Sequence, residues 1–436
     1  MSNKNLELRP VRGMRDFLPK DLAKRRFVED KVRELFLLYG YREVETPVLE
    51  YLDLLAAKAG DEIRHRMYAF KDLGDRWVAM RPEMTAPVAR LVSTKMRTHA
   101  KPLRLGYVAN CFRYDNPQKG RYREFWHAGF ELFGSDRPES DAEILCVTSD
   151  LMRKLGFNNF QFKINNIGIL RAIFSEEGIE DTNQNQLMSL IDKNQIKEVF
   201  QKLTNLNAST VCKDVLQQLF QIKGVNSEEI IAKGSSVVKA FDSAADYLDN
   251  LEKIVKLARI GGVKAPILID LGFARGLEYY TGMIFEVIVP QLDLSLVGGG
   301  RYDGLVELYG GDKTPAVGCA PGISRIVLAM DEANLFIDKN GKNAVLVTFV
   351  NDDLVGEAVR ITDLLRKNGI FVLFDVMGRG IRRALSQAST SGCSHTIIVG
   401  QDEMKRQSVV LRNLIDRSQK EVKVNDLIHE LNKKIT

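Results

Sequence analysis

The sequence predicts an α/β protein with more than one domain. An apolar run before a turn near residue 117 and an aromatic-rich run after it suit the two strands of a β-hairpin. Residues 168–258 contain mostly helix-compatible segments, and the chain after residue 342 alternates between strand-like and helix-like runs. Because 436 residues exceed what one ordinary core accommodates, we expect a sheet-based domain with a helical insertion, followed by a smaller α/β domain.

The composition narrows the class of protein. With 45% hydrophobic and 27% charged residues, the chain has the profile of a soluble globular protein. A net charge of +5 permits a nucleic-acid partner without demonstrating one. Five cysteines without a C-x-x-C pair predict neither a disulfide framework nor a structural zinc site. No apolar run of membrane-spanning length and no signal-peptide pattern occurs, so we expect a cytoplasmic protein without a membrane partner.

The first elements are an irregular segment over residues 10–19, a helix and a strand. The helix is predicted from apolar residues at three- and four-residue steps, with Gly40 as its end: Leu22, Phe27, Val28, Val32, Leu35, Phe36 and Tyr39. A strand over residues 41–44 leads into Thr46-Pro47. A hairpin over residues 67–81 then runs into Arg81-Pro82-Glu83-Met84-Thr85. On sequence alone, Glu83 and Thr85 are as readily helix-capping residues as ligand-binding ones.

The central hairpin joins strands predicted over residues 103–112 and 122–133. Side chains alternate between the two faces of a strand. One face of the second strand would carry a flat ring, a gap left by glycine and a carboxylate, which suit a small ligand: Arg123, Phe125, His127, Gly129 and Glu131. The other face would be core: Tyr122, Trp126, Phe130 and Leu132. Arg113 and Arg121 add guanidinium groups of the kind that bind phosphate oxygens, although an amphipathic hairpin with a basic tip fits the same pattern.

Two further stretches beyond the insertion stand out. Arg275 lies between an apolar run and a glycine, where a surface arginine would be unremarkable. If residues 279–282 are a strand, Tyr280 and Gly282 share a face and add a phenol and a second gap to a ring-binding pocket. The glycine cluster in residues 296–304 matches neither G-x-G-x-x-G nor the G-K-[ST] of a phosphate loop. We therefore interpret it as a tight strand end that allows close approach.

Residues 316–328 predict a strand, a glycine-containing turn and a helix with Arg325 near its start. Since the helix dipole disfavours a cation there, we expect Arg325 to have an anionic or aromatic partner. Polar residues 331–342 are the predicted linker. The last domain, residues 343–436, would have strands at 344–350, 371–374, 396–399 and 408–412 and helices at 355–367, 381–391 and 424–434, a pattern that a flavodoxin-like or dimerisation module shares.

Several of these stretches resemble the motifs of one enzyme class. Phe-Arg, a variable loop, Arg-Tyr-Arg-Glu-Phe and Gly-x-Glu in the central hairpin resemble motif 2 of the class II aminoacyl-tRNA synthetases. The long helix, strand and proline near the N-terminus resemble motif 1, which builds the dimer interface in that class, and the stretch with Arg325 resembles motif 3. Residues 275–281, Arg-Gly-Leu-Glu-Tyr-Tyr-Thr, and 298–304, Gly-Gly-Gly-Arg-Tyr-Asp-Gly, resemble the two histidine-specific motifs of the histidyl-tRNA synthetase family.

The resemblance covers nearly the whole chain in order and implies a fold and an activity. The fold would be a class II catalytic domain over residues 1–330, an antiparallel sheet flanked by helices, with an insertion at about 168–258, and a C-terminal α/β anticodon-binding domain. The activity would be the ATP-dependent ligation of L-histidine to tRNA(His) through a histidyl-adenylate. Expected partners are L-histidine, ATP with Mg²⁺, tRNA(His) and a second copy of the chain, and DNA is not expected. The alternative is a related regulatory or histidine-sensing subunit that does not aminoacylate tRNA.

The resemblance also implies roles for individual residues. Arg113 and Arg275 would be catalytic at the α-phosphate of ATP, Arg121 and Arg325 would bind the outer phosphates, and Phe125 would stack on the adenine. The histidine substrate would be bound by Glu83, Thr85, His127, Gly129, Glu131, Tyr279 and Tyr280. Two residues depart from the family pattern: His127 stands where glutamine is usual, and Ser324 stands where bacterial-type members more often have glutamate. The sequence identifies no magnesium ligands.

Overall fold

The computed structural model describes residues 7–57, 64–116, 120–275, 278–290, 292, 294–336 and 344–435. The chain divides into two compact units, Met1–Phe336 and Ile337–Thr436. Three predicted features lie partly outside the described residues: the tip of the central hairpin at 117–119, the histidine-specific motif at 276–277 and the second half of the polar linker at 337–342.

The described strands of the first unit are β1 (Arg42–Glu43), β2 (Leu49–Tyr51), β3 (Ala69–Lys71), β4 (Trp77–Met80), β5 (Leu103–Phe112), β6 (Glu124–Phe133), β7 (Gln161–Asn166), β8 (Lys223–Gly224), β9 (Ile267–Asp270), β10 (Met283–Val289), β11 (Leu294–Arg301) and β12 (Ala316–Pro321). Its described helices are α1 (Pro19–Tyr39), α2 (Leu52–Ala56), α3 (Thr85–Thr94), α4 (Pro138–Lys154), α5 (Gly168–Glu176), α6 (Asp181–Asp192), α7 (Ile196–Asn205), α8 (Thr210–Leu219), α9 (Ser227–Val237), α10 (Asp242–Ile260), α11 (Leu305–Leu308) and α12 (Ile323–Glu332).

Nine strands form the main sheet of this unit, in the spatial order β1-β5-β6-β12-β11-β10-β7-β9-β8. The pairs β1–β5 and β7–β9 are parallel, and the other neighbours that pair are antiparallel. Strands β5 and β6 pair along their whole length, from Leu103 opposite Phe133 to Phe112 opposite Glu124. The predicted central hairpin is therefore present. Through β12 and β11 it lies in the same sheet as the glycine-rich stretch.

One prediction about the hairpin is wrong at its outer end. Strand β6 begins at Glu124, so the alternation of faces does not extend to Arg123. That side chain is buried: its guanidinium lies 3.6 Å from the ring centroid of Tyr114, and it packs on Gly13. Trp126, expected in the core, is only partly buried and is covered by Phe17 and by the guanidinium of Arg25.

Helix α1 covers the sheet as the apolar spacing predicts. Val28, Val32, Leu35 and Phe36 are buried on the sheet side. Gly40 follows the helix with φ of 72°, in the left-handed region that glycine adopts without strain. The insertion is helical as predicted, since α5 to α10 fill residues 168–260 apart from short breaks and the two-residue strand β8. Its apolar residues belong to the same core as the sheet.

The second unit has its own sheet and cores. Its strands are β13 (Ala344–Phe349), β14 (Val372–Phe374), β15 (Cys393–Val399), β16 (Ser408–Asn413) and β17 (Gln419–Lys423), and its helices are α13 (Val355–Lys367), α14 (Ile381–Thr390), α15 (Gln401–Lys405) and α16 (Leu427–Ile435). The sheet order is β14-β13-β15-β16-β17, with a parallel half and an antiparallel half. The predicted α/β pattern is confirmed, but β17 and α15 were missed because both are short and polar.

Strands β2, β4 and β3 form a separate small sheet. Several large apolar side chains on it are exposed: Leu49, Tyr51, Phe70 and Trp77. Tyr51 and Phe70 both pair with Val78, and Leu49 is two residues from Tyr51, so these three side chains share one face of the small sheet. We call Leu49, Tyr51 and Phe70 the apolar face. Trp77 lies on the opposite face, because it is next to Val78 in β4. In the described parts of both units, no helix is long and apolar enough to cross a membrane.

Candidate active site

A cavity of about 350 Å³ lies over the main sheet. Strands β6, β11 and β12 contribute to its wall, together with the start of α3 and the start of α12. Ten of the twelve predicted site residues line it: Glu83, Thr85, Arg113, Arg121, Phe125, His127, Arg275, Tyr279, Tyr280 and Arg325. The other two, Gly129 and Glu131, lie in β6 behind this wall and are buried.

Four arginines from three distant parts of the chain meet at this cavity. The Nε of Arg113 donates to the carbonyl oxygen of Pro82 at 2.8 Å, and its guanidinium lies 5.3 Å from the ring centroid of Phe125. Burial lowers the pKa of Arg325, and the nearby charges of Arg121, Arg113 and Arg275 lower it further. Four cations that repel one another at a cavity make a site for a polyanion.

Arg275 and Arg325 are both held by groups of the neighbouring strands. Nη1 of Arg275 donates to Oε1 of Glu286 at 2.8 Å, and Arg275 is part of the cavity wall rather than the ordinary surface arginine that was the alternative interpretation. Nη1 of Arg325 donates to the carbonyl oxygen of Ser295 at 2.9 Å. This backbone acceptor takes the place of the charged or aromatic partner expected for Arg325. Ser324 accepts from the backbone N–H of Trp126 at 3.4 Å, and this leaves the guanidinium of Arg325 on the cavity wall.

Glu83 has the capping geometry that was one of its two interpretations. Its carboxylate accepts from the backbone N–H groups of Thr85 at 2.6 Å and Ala86 at 2.9 Å, at the start of α3. Burial raises its pKa, and these two N–H groups and Arg113 oppose that rise. Since a carboxylate has about four acceptor positions, capping leaves Glu83 able to accept from a ligand in the cavity that it lines.

Glu131 is 1% exposed and accepts from three hydroxyl groups. Oε2 accepts from the hydroxyl of Tyr302, and Oε1 accepts from Thr85 at 3.0 Å and from Tyr107 at 3.4 Å. Burial raises the pKa of Glu131 to about 8, despite the lowering effect of these hydroxyls. Thr85, Tyr107 and Tyr302 line the cavity, so Glu131 is part of a polar cluster at this wall.

The glycine gaps serve the protein's own side chains, and this corrects two expectations. A Cβ on Gly129 would lie 2.0 Å from the ring of Tyr107, so that gap is filled by Tyr107 rather than by a ligand. A Cβ on Gly282 would meet the side chain of Arg301 at 3.0 Å, away from the cavity. The reason in both cases is that a buried gap beside a strand is filled by the nearest large side chain.

Three glycines of β11 and β12 make room for side chains of the site. A Cβ on Gly298 would lie 2.5 Å from Nη1 of Arg275, and one on Gly300 would lie 2.8 Å from the ring of Tyr280. A Cβ on Gly318 would lie 1.8 Å from Oε2 of Glu131. The glycine-rich strands therefore let arginine, phenol and carboxylate groups lie flat against the sheet.

His127 is a neutral imidazole on the cavity wall. Burial, together with the nearby charges of Arg113 and Arg325, lowers its pKa to about 3. Its ring stands edge-on to Phe125 with centroids 4.9 Å apart, and its Nδ1 is buried without a hydrogen-bond partner in the structure. A neutral ring keeps one nitrogen free to accept a hydrogen bond.

Sequence reasoning missed Tyr107, Tyr302 and Glu286, which also line the cavity. Tyr107 and Glu286 looked like members of ordinary strands, and Tyr302 looked like part of a glycine-rich strand end. Tyr107 could have been found, because the hairpin register places it opposite Gly129. Glu286 depends on the pairing of β10 with β11, which the sequence does not specify.

The sheet order, the three motifs and the arginine-lined cavity define the catalytic unit of a class II aminoacyl-tRNA synthetase. The family model described as Histidyl-tRNA synthetase matches residues 13–326, and the one described as Anticodon binding domain matches residues 344–434. The chain therefore belongs to the histidyl-tRNA synthetase family. Members of this family are ATP-dependent ligases that join histidine to tRNA, and this chain is one of them.

Similarity extends over the whole chain. The chain is 38% identical to the "Histidine--tRNA ligase" of Methanocaldococcus jannaschii, covering 95% of this chain and 97% of that protein. It is also 38% identical to the protein of the same name from Sulfolobus acidocaldarius, covering 97% of each. Among solved structures, apo S. aureus histidyl-tRNA synthetase superposes with a TM-score of 0.74 at 27% identity, covering 97% of this chain and 99% of that one.

Proposed function

We propose that this cavity carries out both steps of histidine–tRNA ligation. The carboxylate of L-histidine attacks the α-phosphorus of ATP, which gives histidyl-adenylate and releases pyrophosphate. The 3′-terminal hydroxyl of tRNA(His) then takes the acyl group and releases AMP. The meeting of Arg113, Arg121, Arg275 and Arg325 at one cavity is the observation that supports this assignment, because a triphosphate is the ligand that such a charge requires.

The four arginines divide between the phosphates. Arg113 and Arg275 bind the α-phosphate and stabilise the charge that develops on it, and Arg121 and Arg325 bind the outer phosphates. Phe125, on which Arg113 lies, stacks on the adenine. Because the reacting groups need to be oriented rather than activated covalently, fixed guanidinium groups supply much of the acceleration. Glu286 keeps Arg275 in place through the 2.8 Å ion pair.

Histidine is recognised at the other end of the cavity. Glu83, Thr85 and His127 accept from or orient the substrate ammonium. Glu131 and Tyr280 pair with the two imidazole nitrogens, and Tyr279 closes the ring site beside them. Three hydroxyls occupy three of about four acceptor positions of Glu131, which leaves one for the imidazole N–H. A site built on such hydrogen bonds rejects analogues that lack them by roughly 10⁴-fold or more.

Magnesium enters this scheme with the nucleotide. Among the described residues, no group of three or more His, Cys, Asp or Glu side chains is arranged to hold a metal ion. Two acidic residues of the cavity already have cationic partners: Glu286 pairs with Arg275 and Asp115 with Arg66. We therefore assign Mg²⁺ to the outer phosphates of ATP, which it commonly binds in nucleotide sites, and name no protein ligand for it.

The remaining partners involve other surfaces. The second unit binds the anticodon of tRNA(His), as its family match suggests. The apolar face of the small sheet, together with the N-terminal helix and strand that resemble motif 1, forms the interface of a homodimer, because exposed apolar side chains in one patch favour association. The five cysteines are free thiols, which fits a reducing compartment such as the cytoplasm.

The decisive experiment measures the exchange of pyrophosphate into ATP with each amino acid in turn. We expect exchange with histidine only. Arg275→Ala should reduce it by about 10²- to 10³-fold, the usual effect of removing one donor to a developing charge. Arg137→Ala is the matched control, because Arg137 is an exposed, ion-paired arginine away from the cavity. Unchanged exchange in Arg275→Ala would show that the α-phosphate assignment is wrong, and histidine binding without exchange would favour the regulatory alternative.

A further inference from the structure

A buried ion pair lies directly behind the histidine end of the cavity. Nε of Arg301 donates to Oδ1 of Asp141 at 3.0 Å, and its Nη2 donates to Oδ2 at 2.5 Å. The same guanidinium donates to the hydroxyl of Ser140 at 2.8 Å and to the carbonyl oxygen of Ser135 at 2.9 Å. Arg301 is 7% exposed and Asp141 is fully buried. The bonds to Asp141 and Ser140 are buried, and the one to Ser135 is partly buried.

The pair acts on the residue next to it in the chain, Tyr302. Nη1 of Arg301 also donates to Oδ1 of Asp303 at 3.0 Å, and that oxygen accepts from the backbone N–H of Ala316 at 3.1 Å. The backbone N–H of Tyr302 donates to the carbonyl oxygen of Ala316 at 2.7 Å. Both neighbours of Tyr302 and its own backbone are therefore fixed to strands or helices on either side.

A second connection runs to the segment that contains Tyr279 and Tyr280. The backbone N–H of Thr281 donates to the carbonyl oxygen of Arg301 at 2.8 Å, and the hydroxyl of Thr281 accepts from the backbone N–H of Asp303 at 3.1 Å. The ring of Tyr302 stands edge-on to that of Tyr279, with centroids 5.8 Å apart. Fixing the backbone on both sides of Tyr302 thus fixes the wall on which the substrate ring would lie.

The hydroxyl of Tyr302 donates to Oε2 of Glu131 and holds one carboxylate oxygen. We propose that Arg301 and Asp141 are positioning residues for histidine recognition: their buried pair fixes Tyr302, and Tyr302 holds the Glu131 carboxylate in the orientation that reads the imidazole. Neither residue of the pair lines the cavity, so their effect on the substrate passes through Tyr302. The inference rests on the proposed role of Glu131 in binding the imidazole.

The test separates histidine recognition from general stability. Tyr302→Phe leaves one oxygen of a buried carboxylate without its donor, so we expect the KM for histidine to rise roughly 10-fold and the KM for ATP to stay within about twofold. Asp141→Asn loosens the Arg301 fork, and we expect a rise in the histidine KM of roughly 3- to 10-fold with the same unchanged KM for ATP. Pyrophosphate exchange with the full chain supplies both constants.

Combining Asp141→Asn with Tyr302→Phe in one protein tests directly whether the ion pair acts through Tyr302. If the pair acts through Tyr302, then Asp141→Asn adds nothing to the histidine KM of Tyr302→Phe, because the hydroxyl that it positions is already absent. Multiplying effects in the double variant would overturn the proposal. So would an Asp141→Asn protein that unfolds at a lower temperature but keeps the wild-type KM for histidine. Arg301→Lys, which keeps the charge but not the fork, is the second variant if Asp141→Asn does not fold.

A matched control comes from the same helix, α4. Glu143 forms a two-bond ion pair with Arg104, at 2.8 and 2.7 Å, and neither residue lines the cavity. Arg104→Lys should leave the KM for histidine unchanged, and an equal rise there would overturn the proposal. Glu131→Gln tests the proposed imidazole site separately from the positioning role of Arg301 and Asp141. An unchanged histidine KM in that variant means that the proposed imidazole site is wrong. A raised one, with wild-type behaviour in Asp141→Asn, means that only the positioning role is wrong.

Discussion

His127 stands where the family usually has glutamine, yet it leaves the charge of the site the same as glutamine would. Burial lowers the pKa of the imidazole, and with the added effect of Arg113 and Arg325 the pKa falls to about 3. Over the pH range in which synthetases work, it is therefore an uncharged hydrogen-bonding group, as glutamine is. The electrostatics of the cavity explain how histidine can replace glutamine at this position.

We predict that His127→Gln keeps histidine-dependent exchange within about threefold of the wild type, since both side chains are neutral and can accept a hydrogen bond. The pH–rate profile between pH 6 and 8 should keep its shape, because wild-type His127 does not titrate there. A loss of exchange greater than about 100-fold, measured at saturating ATP, would show that the imidazole has another role.

The same residue should affect stability at acid pH. In the folded protein His127 stays neutral down to a pKa of about 3, whereas in the unfolded chain it takes up a proton below about pH 6.5. The unfolded state therefore binds more protons, and the wild type loses stability relative to His127→Gln as the pH falls from about 6.5 towards 3. Denaturant unfolding of both proteins at pH 7.5 and pH 5 measures the difference, and an equal loss in both would contradict the lowered pKa.

At the scale of elements, the site depends on strands without side chains. Strands β11 and β12 bring Gly298, Gly300 and Gly318 under the groups that contact the substrate in our proposal. Each of these glycines allows a charged or aromatic side chain to lie against the sheet. These glycines thus leave the space that the site's own side chains occupy.

Gly318→Ala tests this arrangement. The added Cβ would lie 1.8 Å from Oε2 of Glu131 and 2.7 Å from the carbonyl oxygen of Phe130, so the carboxylate has to move. We expect a loss of about 1–3 kcal/mol in the free energy of unfolding and a rise of roughly 10-fold or more in the histidine KM. Gly304→Ala is the control, since nothing lies within 4 Å of its Cβ position and its φ is −87°. Equal KM values for histidine in the two variants would show that Gly318 is not needed to make room for Glu131.

At the scale of the whole molecule, the two units have separate cores. The core of the first unit joins the sheet, α1 and the helical insertion, and the second unit has its own apolar clusters around β13 and β15. Among the described residues, those that line the cavity belong to the first unit. Adenylate formation should therefore not require the second unit.

We predict that a fragment ending at residue 336 keeps histidine-dependent pyrophosphate exchange within about 10-fold of the full chain, because its core and cavity are complete. The same fragment should charge tRNA(His) far more slowly, since it lacks the unit that matches the anticodon-binding family. Exchange and charging assays on the two proteins check this. A folded fragment without exchange would show that the second unit contributes to the first step.

The homodimer is tested on the apolar face. Phe70 is 44% exposed there, and Phe70→Glu would place a charge in the proposed interface, so we expect it to shift the protein from dimer to monomer in light scattering. Ile260→Glu is the matched control, because Ile260 is 76% exposed at the end of α10, outside the apolar face. A dimer that persists in Phe70→Glu and dissociates in Ile260→Glu would show that the interface lies on another surface.

The sequence by itself determined the main elements, the fold class and ten residues of the cavity wall. Helix α1 and hairpin β5–β6 follow from apolar spacing over many residues, which is a strong local signal. The arginines of the cavity were identified by their motifs, because phosphate binding needs that residue type in a fixed local setting. The short polar elements β17 and α15 were missed because a few exposed residues carry little periodicity.

Only the tertiary structure decided which side chains fill the spaces beside the glycines and which contacts hold the site residues in place. Tyr107 occupies the space beside Gly129, and Arg301 occupies the space beside Gly282, although both spaces read in sequence as openings for a ligand. The Tyr302–Glu131 and Arg301–Asp141 contacts join residues more than 150 positions apart. Local sequence reports which side chains a segment carries, but close packing between distant strands decides which of them meet.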